Sequence, residues 1–119
     1  QGRHEPIAAM PGAWERTVSI SSGGKTFSTT GWKVGWATGP ADLIEAVLAV
    51  KQYLTYTGGA PFQPAIAAGL ALTDDWFASL SDTLRVKRDL LGRGLRAAGF
   101  DVSVPAATYF TVVDARAVD

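Results

Sequence analysis

Cysteine is absent from the 119-residue chain, and histidine occurs once, as His4. The first absence excludes disulfide frameworks, cysteine nucleophiles and thiolate metal sites together, and it agrees with a reducing, cytoplasmic compartment. The second leaves His4 with no acidic neighbour at a spacing that would form a triad or a metal cage, so it reads as an ordinary loop residue. Net charge is lacking too: eleven Lys and Arg balance eleven Asp and Glu. A balanced chain leaves no electrostatic footprint for nucleic acid or an anionic membrane surface. No apolar run approaches the roughly 18 residues of a membrane span, and no charged stretch leads into an apolar segment. What is present, 47% apolar and 18% charged residues, fits a folded chain that is at most one ordinary domain or part of a larger one.

Along the chain, QGRHEPIAAMPGAWE has prolines and glycines but no sustained period and reads as loop. Thr17 to Ser21 alternates and is β-branched, which predicts a short strand; Lys33 to Thr38, stopped by Gly39-Pro40, predicts a second. Pro40 suits the first turn of a helix running to about Tyr56, with Leu43, Ile44, Val47, Leu48 and Leu54 on one face. Gly58, Gly59 and Pro61 break it. An alanine-rich helix follows over Gln63 to Leu72, then a long one capped by Asp74 or Asp75 and closed at Ala98 by Gly99. Its apolar stripe is Phe77, Leu80, Leu84, Leu91 and Leu95. Asp101 to Val104 and Tyr109 to Val113 complete the inventory as strands. Trp14, Trp32, Trp36 and Trp76 read as core or interface packing.

This inventory does not make a self-covered sheet, because short apolar strands such as VSI and VGWA want layers on both faces. Together with an opening on Gln1 and an ending in VDARAVD, it predicts an internal fragment of a larger fold.

The chemistry concentrates in SSGGKTFSTTGWKVGW, residues 21–36. A nucleotide P-loop needs a glycine five residues before its Gly-Lys, to wrap the phosphates, and a helix behind. The position five before Gly24 is Ser19, and FSTTGW is a poor helix start, so a P-loop-like nucleotide-binding domain is the weaker alternative. The other reading is covalent: a lysine nucleophile toward a cofactor aldehyde, with neighbours that seat the cofactor's phosphate. Ser22 offers a hydroxyl, Lys33 a positive charge, and Gly23 and Gly24 a close backbone approach. Residue type and spacing alone favour reading Lys25 and Lys33 as solvated loop lysines.

The segment SSGGKTFSTTGWKVGWATGP resembles the lysine region of the fold type I pyridoxal-phosphate aminotransferases, class I/II, in the kynurenine aminotransferase and N-succinyldiaminopimelate aminotransferase branch. HEPIAAMPGAWERTVSI, PADLIEAVLAVKQYLTYTGGAPFQPAIAAGLAL and RDLLGRGLRAAGFDVSVPAATYFTVVD extend the likeness over essentially the whole chain. The resemblance implies an α/β fold: a large domain with a mixed, mostly parallel sheet and helices, running into a small α+β domain. Residues 1–75 would be the C-terminal part of the cofactor-binding large domain, and 76–119 the interdomain helix and the start of the small domain. It implies that Lys25 forms the Schiff base (aldimine) with pyridoxal 5'-phosphate and shuttles the proton, while Ser22 and Lys33 bind the phosphate. Many relatives carry arginine at the latter position, so charge is kept and bidentate geometry is not. The TTGW turn would return Lys33 beside Ser22, with Thr29 and Thr30 helping to hold the loop.

The implied activity is transfer of an amino group from an amino acid to a 2-oxo acid, with a carbon-sulfur β-lyase of the same fold as the alternative, in a homodimer. The Tyr56 to Phe62 loop would lie at the dimer interface near the neighbour's site, with Tyr56 or Phe62 lining it. The family's aspartate under the pyridine nitrogen, its ring tyrosine and its asparagine would precede this stretch, and its carboxylate-gripping arginine would follow it. One departure is Ala107, where relatives show glycine before TYF; a positive φ there would be costly for alanine.

Overall fold

The computed structural model describes residues 4–108 and 110–116. The chain divides into two compact units, His4–Ala71 and a second that begins at Leu72.

The first unit opens with two short 3₁₀ turns, Ile7–Ala9 and Trp14–Arg16. Strand β1 (Ser19–Ser22) and strand β2 (Gly35–Thr38) then pair antiparallel, Ser19 opposite Thr38 and Ser22 opposite Gly35. Both strands start two residues later than their β-branched runs predict. Thr17 is taken by the preceding turn: its N–H donates to the Trp14 carbonyl at 3.1 Å and its hydroxyl to the Ala13 carbonyl at 2.6 Å. Lys33 is left-handed at φ 56°, which no strand accommodates.

Helix α1 (Ala41–Leu54) follows, with Pro40 just outside as its N-cap and not in its first turn. It stops short of Tyr56 because Thr55 and Tyr56 both donate their N–H to the Lys51 carbonyl, and Tyr56 turns left-handed at φ 56°. A 3₁₀ turn at Ala60–Phe62 leads into helix α2 (Gln63–Leu70). Buried side chains in this unit are few. Ile66 is 3% exposed and Ala13 8%, and the backbone at Gly23 is buried beside Ile66.

The second unit is built on helix α3 (Asp74–Ala97). Its N-cap is Thr73, not Asp74 or Asp75; those carboxylates occupy the first turn, where they favour the helix dipole. Gly99, at φ +91°, ends it as the sequence predicts, its N–H donating to the Arg96 carbonyl. Strand β3 (Asp101–Ser103) and strand β4 (Val112–Asp114) pair antiparallel with Val102 opposite Val113, and Val102 is buried. Arg88 ties the helix to the following loop, donating to the Pro105 carbonyl at 3.2 Å while its Nε bonds Asp89. Just past β4, Arg116 embraces Asp114 with its guanidinium and its backbone N–H. Those bonds hold the Asp114 carboxyl below the usual carboxylate range and raise the arginine. The predicted strand over Tyr109 to Val113 is displaced to Val112–Asp114, and Tyr109 lies outside the described residues. Ala107 does not take the positive φ that would be costly for it; the left-handed residue is Thr108, at 73°. Its Oγ1 accepts the Phe110 N–H at 2.9 Å, closing a local turn.

Both strand pairs are antiparallel, and no parallel pair occurs among the described residues. The apolar stripe of α1 is incompletely covered: Leu43 and Ile44 are half-buried, whereas Val47, Leu48 and Leu54 are exposed. None of the four tryptophans is buried. The 3.6-residue period reports a face that needs cover, and the described residues do not supply it.

Candidate active site

The hairpin β1–β2 is open at its far end, and the twelve-residue excursion between its strands carries the candidate chemistry. Gly23 extends the ladder by donating its N–H to the Val34 carbonyl at 3.1 Å. That bond sets the backbone of residues 33–35 alongside residues 22–24, so Ser22 and Lys33 are brought to the same end of the hairpin. Beyond it the chain folds back in tight turns. Phe27 N–H donates to the Gly23 carbonyl at 3.0 Å and Thr29 N–H to the Gly24 carbonyl at 2.9 Å; the Thr30 hydroxyl also donates to Gly24, at 3.1 Å.

Two glycines sit in close contact here. A Cβ on Gly23 would stand 2.7 Å from Ile66 Cδ1, and one on Gly24 would stand 3.2 Å from Thr30 Cα. The first lets α2 pack beneath the loop, and the second lets the loop cross itself. Phe27 lies against α2 as well, its ring atoms 2.9 Å from where a Cβ on Gly69 would be.

Lys25 projects from this loop into the open. Its Nζ lies 3.3 Å from Thr30 Oγ1, and among the described residues no carboxylate is within ion-pair distance of Lys25 or Lys33. Ser22 and Lys33 are exposed, and neither side chain is hydrogen-bonded to another described residue. The donor set is therefore a primary amine, a free hydroxyl and a second ammonium on one end of a hairpin. That set fits a ligand carrying both a carbonyl carbon and a phosphate. It does not fit a P-loop, because residues behind Lys25 form turns and a 3₁₀ turn at Thr30–Trp32, with no α-helix N-terminus facing a phosphate. No group of three or more His, Asp or Glu able to hold a metal occurs among the described residues.

The Tyr56–Phe62 loop reaches this region through Trp32. The Phe62 ring stacks on Trp32 with centroids 4.7 Å apart and planes 22° from parallel, and Gly59 passes so close that a Cβ would stand 2.6 Å from the Trp32 carbonyl oxygen. Tyr56 is 84% exposed and left-handed, a backbone state that is an outlier for a bulky side chain and is retained most often at functional sites.

The same stretch carries the comparison with known proteins. The profile of "Aminotransferase class I and II" matches residues 4–119. The chain belongs to the class I and II aminotransferases. A probable N-succinyldiaminopimelate aminotransferase of Mycobacterium tuberculosis is 54% identical over 96% of the chain, and a kynurenine–oxoglutarate transaminase of Dictyostelium discoideum is 42% identical over 97%. A solved methionine aminotransferase from Escherichia coli superimposes with a TM-score of 0.85 at 38% identity, over 98% of the chain. The chain spans 29%, 27% and 31% of these three proteins, respectively.

The sequence singles out Lys25, Ser22 and Lys33 as candidates, but three features of their setting are not evident from it. The Trp32–Phe62 stack joins residues 30 positions apart, which no local pattern reveals. The left-handed turn at Tyr56 lacks its usual signal, a glycine or asparagine. Thr30 was marked as a loop-holding residue, but not as the partner of the Lys25 amine.

Proposed function

We propose that this chain supplies the reactive lysine and part of the phosphate seat of a pyridoxal-phosphate-dependent aminotransferase, which moves an amino group from an amino acid to a 2-oxo acid. The observation that carries the reading is the placement of Lys25, Ser22 and Lys33 at the open end of one hairpin, in a chain of this family.

When bound, pyridoxal phosphate supplies an aldehyde and a ring that delocalises the electron pair left as a proton departs from the substrate Cα. Lys25 would hold that cofactor through Nζ, and as a free amine its Nζ would accept and return the substrate Cα proton. Both tasks need a nitrogen lone pair and a side chain long enough to swing, and Lys25 is exposed on a loop closely packed at Gly23 and Gly24. The Ser22 hydroxyl and the Lys33 ammonium would hold the phosphate, the former by hydrogen bond and the latter as a point charge. Seating the phosphate at the open end of the β1–β2 hairpin would fix one end of the cofactor, so that movement of the Lys25 side chain would not release it.

We further propose that the segment works inside a longer polypeptide and in a homodimer, with residues 1–75 in the large domain, 76–119 leading into the small one, and the Tyr56–Phe62 loop near the neighbour's site. The exposed apolar stripe of α1 and the outlying Tyr56 support this, since both present surface that a larger assembly would cover. The test is amino transfer from glutamate, glutamine or an aromatic amino acid to a 2-oxo acid by the full-length protein. Activity that depends on added pyridoxal phosphate and is abolished by Lys25→Ala supports the reading; undiminished transfer by the variant overturns it.

A further inference from the structure

We infer that Thr30 is a positioning residue for the Lys25 amine, one that holds the nitrogen while leaving its lone pair free. The inference rests on the proposed role of Lys25 and goes beyond it by assigning what steers that nitrogen. Thr30 Oγ1 lies 3.1 Å from the Gly24 carbonyl oxygen and 3.3 Å from Lys25 Nζ. A hydroxyl has one proton and two lone pairs, and a carbonyl oxygen only accepts. The single proton of Thr30 is therefore spent on Gly24, and toward Lys25 the hydroxyl acts as an acceptor.

The direction of that chain matters to the chemistry. A neutral amine has two N–H donors and one lone pair; a partner that accepts uses a donor, whereas a partner that donates occupies the lone pair. With its proton held by Gly24, Thr30 tethers the free amine through N–H and leaves the lone pair exposed for attack or proton abstraction. A freely rotating hydroxyl would do the opposite for part of the time.

Three features of the loop enforce the arrangement. Thr29 N–H donates to the same Gly24 carbonyl at 2.9 Å, which anchors the acceptor. Gly24 has no Cβ, and one would stand 3.2 Å from Thr30 Cα and 3.6 Å from Thr30 Oγ1. The threonine is β-branched, so its χ1 is stiffer than that of serine. Among the described residues Thr30 is also the one hydrogen-bond partner of the Lys25 side chain.

The experiment uses the full-length protein with pyridoxal phosphate, unsubstituted and as Thr30→Val and Thr30→Ser. It reads the cofactor dissociation constant, the peptide labelled after borohydride reduction, and single-turnover rates with protiated and α-deuterated amino donor. Thr30→Val is expected to slow the proton-transfer step about tenfold, the worth of one hydrogen bond. It should also raise the deuterium isotope effect, leave the dissociation constant within about twofold, and keep the label on Lys25, while Thr30→Ser regains most of the rate. The inference is overturned if Thr30→Val leaves rate and isotope effect unchanged, if its rate loss merely follows weaker cofactor binding, or if serine does not rescue. Failure to label Lys25 in the unsubstituted protein overturns the underlying assignment and this inference with it. Label on Lys25 with unchanged kinetics in Thr30→Val overturns this inference alone.

Discussion

Replacing Gly23 with alanine probes the contact on which the lysine loop rests. The φ of Gly23 lies outside the left-handed region, so alanine is conformationally permitted. On backbone grounds alone the change would stabilise by about 0.4–1 kcal/mol, through the less flexible unfolded chain. Packing opposes it. The added Cβ would meet Ile66 Cδ1 at 2.7 Å, Cγ2 at 3.1 Å and Cγ1 at 3.3 Å. A change of χ2 relieves only the first, because Cγ2 and Cγ1 branch from Cβ and χ1 of a helical isoleucine has one strongly preferred state. Ile66 is also the most buried side chain of its unit, so it has little room to withdraw. Overpacking of this kind costs about 1–3 kcal/mol, which leaves a net loss of about 1–2 kcal/mol after the backbone gain.

The structure makes a sharper claim about the background. Ile66→Ala removes all three clashing atoms at a cost of about 2–5 kcal/mol, and in that background Gly23→Ala should be neutral or stabilising by about 0.5 kcal/mol. The coupling between the two sites is then about 1–2.5 kcal/mol. Urea unfolding of the four full-length apoproteins that close the cycle, with m values compared, measures it directly. An equal cost for Gly23→Ala with and without Ile66 would refute the packing of α2 beneath the loop.

Lys33→Ala should weaken cofactor binding by about 1.5–3 kcal/mol, the range of a charge-assisted contact, so its dissociation constant rises roughly 10- to 150-fold. Saturating cofactor should restore most of the rate; a persistent loss would show that Lys33 acts in the chemical step. Gly59→Ala should lower stability by about 2–3 kcal/mol, because its Cβ would press on the Trp32 carbonyl oxygen, and backbone cannot swing aside. Gly58→Ala, which meets nothing within 4 Å, should stay within about 0.5 kcal/mol of the parent in the same thermal melts. Equal melting points for the two variants would contradict the close passage of the Gly59 loop over Trp32.

Much of the helical architecture was legible because helices announce themselves locally. Gly99 ends α3 for the reason the sequence gives, and the starts of α2 and α3 fall at Gln63 and Asp74. The misplacements lie where side chains compete with the backbone pattern. Thr17 looks like strand, yet its hydroxyl closes the preceding turn; Thr73 caps α3 where aspartates were the obvious candidates. Lys33 and Tyr56 take left-handed backbone that glycine would have signalled. Strand direction was not readable from composition, since VSI and VGWA suit buried parallel and antiparallel pairing alike. At the site, Lys25, Ser22 and Lys33 stand as candidates through the resemblance of the segment, since spacing alone does not separate them from solvated loop residues. The Gly24–Thr30–Lys25 chain was not legible, because it depends on the loop crossing itself within a hydrogen-bond distance.

The most direct test of Lys25 as the covalent anchor is borohydride reduction of the full-length protein loaded with pyridoxal phosphate, followed by digestion and peptide mapping. Label confined to the peptide that contains Lys25, and lost in Lys25→Ala, is the expected result. Label on Lys33 or Lys51 instead, or no covalent label in the unsubstituted protein, would contradict it.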